Sequence, residues 1–416
     1  MIMNKSYLLN GLKEEQSKII LAALLFYCFV PLLGIFCLLL FTLYSGIYYR
    51  KLTYTLFLLL AVYMGLINST KVPFGDQMMY YEAFRMVPHR TIWQNMTGIY
   101  GIGRGYTTKE LGFGLLNLIG YYISFGKYAL FITLFTTSIY MLLFDSIYKW
   151  FHYLKLSKPL YYVLSGVFII AFFTQYFNIT IHLQRQMFAT AVMIYALVRM
   201  VTTSKVPWWI VILAVTLHTS VGLFLPLFLL YQFSGKLTFK QVFLILGMLG
   251  IGFSAITFFA GSLLNVVGGD VYALHRLENM AETGHEERMS ISLLLTIGAP
   301  LTLISLVNMR KYHSRKHTNE LFFFLFYLFN MLFSAANPNN TMQYRYFMMS
   351  YVFIPFIMPL ASRKLILAEK LFLIAIPAFL FFRFYMTFDD IVFDFAPVED
   401  VMTSDMFSLF NYNHTR

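Results

Sequence analysis

The sequence predicts an all-α polytopic integral membrane protein, and three observations carry that expectation. The 416-residue chain is 59% hydrophobic and only 12% charged, with a mean hydropathy of +0.67; a water-soluble chain of that length needs far more charge to cover its surface. Apolar runs of bilayer-spanning length recur along it. Its Lys and Arg residues fall into short loops that lie on one side of a single consistent threading.

The runs suited to crossing lie near residues 19–42, 52–68, 127–147, 159–178, 186–203, 241–261, 290–308, 320–336, 346–361 and 367–386. A helix needs roughly 20 residues to span the hydrocarbon, fewer where the bilayer thins. Two runs are ambiguous: 111–123 is short, and 206–233 is interrupted by His218-Thr219-Ser220. The basic loop Arg310-Lys311…Arg315-Lys316 must be cytoplasmic by the positive-inside rule, as must Arg50-Lys51, Lys149/Lys155/Lys158, Lys205, Lys236/Lys240 and Arg363-Lys364. All agree only if 111–123 does not cross and 206–233 enters and returns as a short hairpin. The result is about ten full spans plus the hairpin, twelve helices if both its halves are counted, with both termini outside. Each hairpin arm is ~14 residues, or ~20 Å, short of a ~30 Å core. Its tip at His218 should therefore sit below the outer surface in a wet cavity, because a polar tip facing lipid would leave backbone groups unsatisfied.

The net charge of +12 is accounted for by this topology and is not a nucleic-acid footprint. Residues 1–386 read as one transmembrane domain with outer loops 70–110 and 261–289, and 387–416 as an acidic extension that caps the outer face or stays disordered. The N-terminal run is too long for a signal-peptide core and lacks a small-residue cleavage site. Cys28 and Cys37 share one apolar run, so no disulfide framework follows. There is no phosphate-binding G-x-x-x-x-G-K-[ST], no HExxH and no closely spaced carboxylate pair, so neither a cofactor nor a metal is expected.

Candidate chemistry gathers on the outer face. Loop 70–110 carries Asp76, Tyr80 and Glu110; loop 261–289 carries Arg276; the turns at 179–186 and 337–345 carry His182, Arg185, Gln186, Tyr344 and Arg345. Arg185 and Arg345 each open an inward-running apolar span. Exposed amides and the positive dipole end favour an anion there, and a guanidinium adds a planar fork of donors. The bland alternative is that such arginines contact lipid phosphates. His182, Arg185 and Gln186 share one face if the helix begins slightly early.

Four short motifs make the chain resemble the EpsG-type/Wzy polysaccharide polymerases. They are Asp76 with Tyr80-Tyr81 after the second span, Glu110-Leu-Gly-Phe113, Arg185-Gln186-Met-Phe-Ala189 and Leu217-His218-Thr-Ser220. Tyr344-Arg345-Tyr346-Phe347 fits the late arginine of that family. Leu111 and Leu217 depart from a commoner proline and aromatic, and the acidic tail is not a recognised family feature. The resemblance implies a metal-independent glycosyltransferase, similar to the GT-C-like enzymes, in the bacterial inner membrane. It would join undecaprenyl-diphosphate-linked oligosaccharide repeat units into a surface polysaccharide such as O-antigen or capsule, alongside a flippase and a chain-length regulator. Arg185 and Arg345 would stabilise the leaving diphosphate, His218 or Glu110 would act as base, and Asp76, Tyr80, His182, Gln186, Arg276 and Tyr344 would bind substrate. A lipid-linked oligosaccharide flippase and an O-antigen-ligase-like transferase are the rival readings.

Overall fold

A computed structural model of the chain describes residues 5–44, 50–73, 76–97, 111–156, 158–233, 297–313, 318–336, 340–362, 366–391 and 394–412, with four isolated positions between 244 and 252. All regular structure among them is helical. The expected span at 241–261, apart from those four positions, loop 261–289 and the basic pair Arg315-Lys316 lie outside the described residues.

The first expected span is not continuous. Helix α1 (Lys5–Phe29) ends before Pro31, and α2 (Pro31–Tyr44) folds back along it. Proline disfavours helical geometry at the residue before it and removes a backbone donor, so the break falls at Val30. A Cβ on Gly34 would stand 2.6 Å from the Ala23 carbonyl oxygen, which shows how closely the two legs pack. The outward placement of the N-terminus rested on an unbroken crossing at 19–42 and loses that support.

The centre of the fold is α3 (Arg50–Ser69) against α7. Between them in sequence lie α4 (Asp76–Arg85), α5 (Ile92–Thr97) and α6 (Leu111–Ile123); α7 spans Tyr128–Tyr153. Tyr54, near the start of α3, donates its hydroxyl to Asp145 near the end of α7, and Asn68, at the other end of α3, donates to Thr136 at 2.8 Å. The two helices are therefore antiparallel. Thirteen residues make α6 about 20 Å long, too short to cross.

Helix α8 (Pro159–Phe172) breaks at Phe173 into α9 (Thr174–His182), which turns away by 59°. After a second break at Leu183, α10 runs from Gln184 to Thr203. Helices α3, α7 and α10 are each long and apolar enough to cross a bilayer, and the bent α8–α9 pair would be a fourth.

The 206–233 segment is a hairpin. Helix α11 (Trp208–Leu217) stops at His218, whose backbone is extended, and a 3-10 turn (Thr219–Phe224) leads into α12 (Leu225–Phe233). Its two ends meet through one residue. Tyr231, at the end of α12, donates to Asn319 Oδ1 at 2.8 Å, and Asn319 Nδ2 donates to Ser204 Oγ, just before α11, at 2.7 Å. Entry and exit thus share a face and His218 is the tip.

Next come α13 (Ala299–His313), α14 (Thr318–Ala336), α15 (Asn340–Ser350), α16 (Ile354–Ile357) and α17 (Ile366–Met386). The span expected at 346–361 lies within one continuous helical run, in which α15 and α16 are joined by a 3-10 turn at Tyr351–Phe353 and followed by another at Met358–Ser362.

The described part of the acidic extension is helical and anchored to the bundle. Residues 394–412 contain α18 (Val398–Thr403) and α19 (Met406–Phe410), and Ala396, Val401 and Leu409 are buried. The Val72 N–H donates to the Asp394 carbonyl at 2.9 Å, the Ala396 N–H to Thr70 Oγ1 at 3.3 Å, and the Tyr63 hydroxyl to the Val401 carbonyl at 3.1 Å. The tail therefore caps the same end of the bundle as loop 70–97 and reaches in alongside α3.

Candidate active site

Arg185 sits in the first turn of α10, 7% exposed. Its Nε–H donates to the Tyr80 hydroxyl at 3.2 Å, and its guanidinium carbon lies 5.1 Å from the Tyr80 ring centroid and 5.5 Å from that of Phe113. The two rings contact each other at 5.5 Å. Ring faces attract a cation most strongly where water is excluded, so α4, α6 and α10 converge on a guanidinium whose plane is held by two aromatic rings. Leu183 offers α10 no side-chain cap. The carbonyl end of α9 meets the same point and offsets part of the dipole, so the positive field there is mainly the guanidinium's.

Gln186 links this group to the second arginine. Its buried side-chain amide donates to the backbone carbonyl of Arg345 at 3.3 Å, which ties α15 to the start of α10. Asn330 of α14 holds the next carbonyl, that of Tyr346, at 2.8 Å. Arg345 itself is half-buried.

His218 is 8% exposed, at the tip of the hairpin, and both α11 and the 3-10 turn pack on α10. Its Nδ1 accepts the Ser220 backbone N–H at 3.1 Å and lies 2.8 Å from Ser220 Oγ. A nitrogen that accepts an N–H is not itself protonated, so the neutral ring carries its proton on Nε2. In this arrangement the neutral His218 ring carries its donor at Nε2.

Residues 54–399 match the EpsG family. The chain belongs to the EpsG family. Neither the curated proteins nor the solved structures contain a match. Membership gives this EpsG protein a polysaccharide polymerase-like, glycosyltransferase-like role in the membrane, and the matched region runs on through the first part of the acidic extension.

The expected site residues of the EpsG chain fall into three groups. Arg185 and Tyr80 are in direct contact, and Gln186 touches the backbone of Arg345. His182 does not continue the helix of Arg185 and Gln186: the break at Leu183 assigns it to α9, so the shared face does not form. Glu110 and Arg276 lie outside the described residues, as do the side chains of Asp76, at the start of α4, and Tyr344, in α15. Two contributors carried no expected role. Phe113 ended a quoted motif, and its place after Gly112 was the available signal. Ser220 ended another, two residues from His218, a spacing at which a turn brings amide and ring together.

Proposed function

We propose that this protein joins undecaprenyl-diphosphate-linked oligosaccharide repeat units into a surface polysaccharide on the outer face of the bacterial inner membrane. The observation that carries the reading is Arg185 clamped between Tyr80 and Phe113, with its neighbour Gln186 bound to the backbone of Arg345. Two cations held at one end of a helical bundle suit a diphosphate whose charge grows as it leaves, and preorganised charge of this kind is usually the largest catalytic contribution.

In this mechanism a sugar hydroxyl of the acceptor unit attacks the anomeric carbon of the donor unit. The new C–O bond forms as the bond from that carbon to the diphosphate oxygen breaks, and the electron pair departs with undecaprenyl diphosphate. Arg185 and Arg345 receive the developing charge, and His218 Nε2–H adds a neutral donor. The hydroxyl proton passes to a carboxylate, for which Glu110 is the candidate. Asp76 and Tyr81, the half-buried aromatic of α4, bind sugar. No step calls for a metal ion.

Surface-glycan analysis of a deletion strain tests the reading. Surface chains one repeat unit long are the expected result; complete loss of the glycan would identify a flippase or a ligase instead.

A further inference from the structure

We propose that the apolar groove between α6, α10 and α11 holds the polyprenyl chain of the lipid-linked substrate while its diphosphate lies at Arg185. This rests on the polymerase reading above.

The groove encloses about 550 Å³, within the ~300–1,000 Å³ of small-molecule sites. Leu115 and Ile119 of α6, Phe188 and Val192 of α10, and Leu213 and Leu217 of α11 form its walls, and none of the described residues that line it is charged. Such a surface gives a sugar no partners for its hydroxyls and leaves a diphosphate uncompensated. A hydrocarbon chain is the part of the substrate it suits.

Position ties the groove to the cationic site. Phe188 lies three residues, about one helical turn, from Arg185. Leu217 precedes His218, and Gly112 on the rim precedes Phe113, whose ring faces the guanidinium. A Cβ on Gly112 would stand 2.6 Å from Thr216 Oγ1 and 2.8 Å from the Thr216 carbonyl carbon, so α6 and α11 touch there and close the groove locally.

Further along, the groove is bounded by Tyr195, whose hydroxyl accepts from Lys149 Nζ at 3.1 Å; Lys149 is itself paired with Asp145. A hydrocarbon chain would not continue into that charged pair. The open way out is sideways, because Leu115, Ile119 and Leu213 are 41%, 49% and 42% exposed. A long chain can enter from the bilayer, lie along the groove and leave its far end among the lipids.

A phospholipid offers the same chemistry, an anionic phosphate on an apolar chain, and the experiment separates the two sources. The full-length protein is placed in nanodiscs with either a diazirine-bearing undecaprenyl monophosphate or a diazirine-bearing phosphatidylglycerol, and cross-linked peptides are mapped. The undecaprenyl probe should label α6, α10 and α11 and be displaced by unlabelled undecaprenyl diphosphate. Leu213→Trp, which fills the groove from its exposed side, should cut that labelling by about tenfold, the size expected for losing one or two buried methylenes. Equal labelling by phosphatidylglycerol, or labelling that undecaprenyl diphosphate does not displace, would overturn the proposal.

A second measurement does not depend on the variant. Purified wild-type protein is given repeat units on geranyl or undecaprenyl diphosphate, and the longer carrier should lower KM with little change in kcat. Equal KM values would remove the groove from substrate binding and leave the polymerase reading intact. Turnover of neither donor, with displaceable labelling of the groove, would refute the polymerase reading and keep the lipid site.

Discussion

Tyr80 and Arg185 are 105 positions apart, and the hydroxyl of one accepts the Nε–H of the other at 3.2 Å. That bond is made across two elements, α4 and α10, and it orients the fork that the proposed mechanism needs. Arg185→Lys keeps the charge and loses the planar fork and its stacking. Polymer formation by the reconstituted protein should fall by about 10²–10³, as for loss of one transition-state donor. Tyr80→Phe keeps the ring and loses only the hydroxyl, so its loss should be smaller, about tenfold. Near-wild-type rates for the Lys variant would leave Arg185 as a lipid-headgroup anchor.

The His218 ring should act through Nε2–H. A glutamine side chain can place an N–H near that position, whereas an asparagine is one methylene shorter. His218→Gln should therefore retain more activity than His218→Asn, with both proteins inserted normally. Equal inactivation of both variants, together with an acidic limb in the wild-type pH–rate profile, would restore the general-base role.

The Tyr231–Asn319–Ser204 chain requires both ends of the 206–233 hairpin to share one side of the membrane. Single cysteines introduced at Ser204 and Phe233 should be labelled by an impermeant reagent from the same side, and one at Asp390 from the opposite side. Labelling of the first two from different sides would mean that the segment crosses.

The folded tail contributes stability. Truncation after Asp390 removes Ala396, Val401 and Leu409 from buried positions. With ~1.5–3 kcal/mol for each fully buried large apolar side chain, the loss should exceed about 3 kcal/mol. The melting temperature in detergent should fall by several degrees. Together with Glu110→Gln, this truncation separates structure from chemistry: the Gln variant should keep its melting temperature and make no polymer.

Lys71 follows α3 at the tail-capped end and is 6% exposed; burial pushes its ammonium down to about 7 from 10.5. The folded state therefore binds fewer protons than the unfolded state between those values. Stability is penalised in full below about pH 7 and recovers as pH rises toward 10.5. Lys71→Met should raise the melting temperature at pH 6 and flatten its rise from pH 7 to 10. An unchanged pH profile would show that Lys71 reaches water.

The membrane class, the antiparallel run of α3 and α7 that the threading requires and the 206–233 hairpin were legible in the sequence. Each follows from length and charge, which act locally: an arm of about fourteen residues falls short of the hydrocarbon core, and Lys and Arg resist translocation whatever surrounds them. The family was legible from Arg185-Gln186, Leu217-His218-Thr-Ser220 and their order. Tertiary structure alone decided the fold-back at Val30-Pro31, the break that separates His182 from Arg185, and the burial of the tail against Tyr63. A hydrophobicity pattern reports how well a segment tolerates lipid, and it is the same whether the segment faces lipid or another helix. The clamp on Arg185 likewise depends on three elements meeting. A cation's partners are fixed by which aromatic faces the packing brings within reach, and no spacing between Tyr80, Phe113 and Arg185 along the chain encodes that contact.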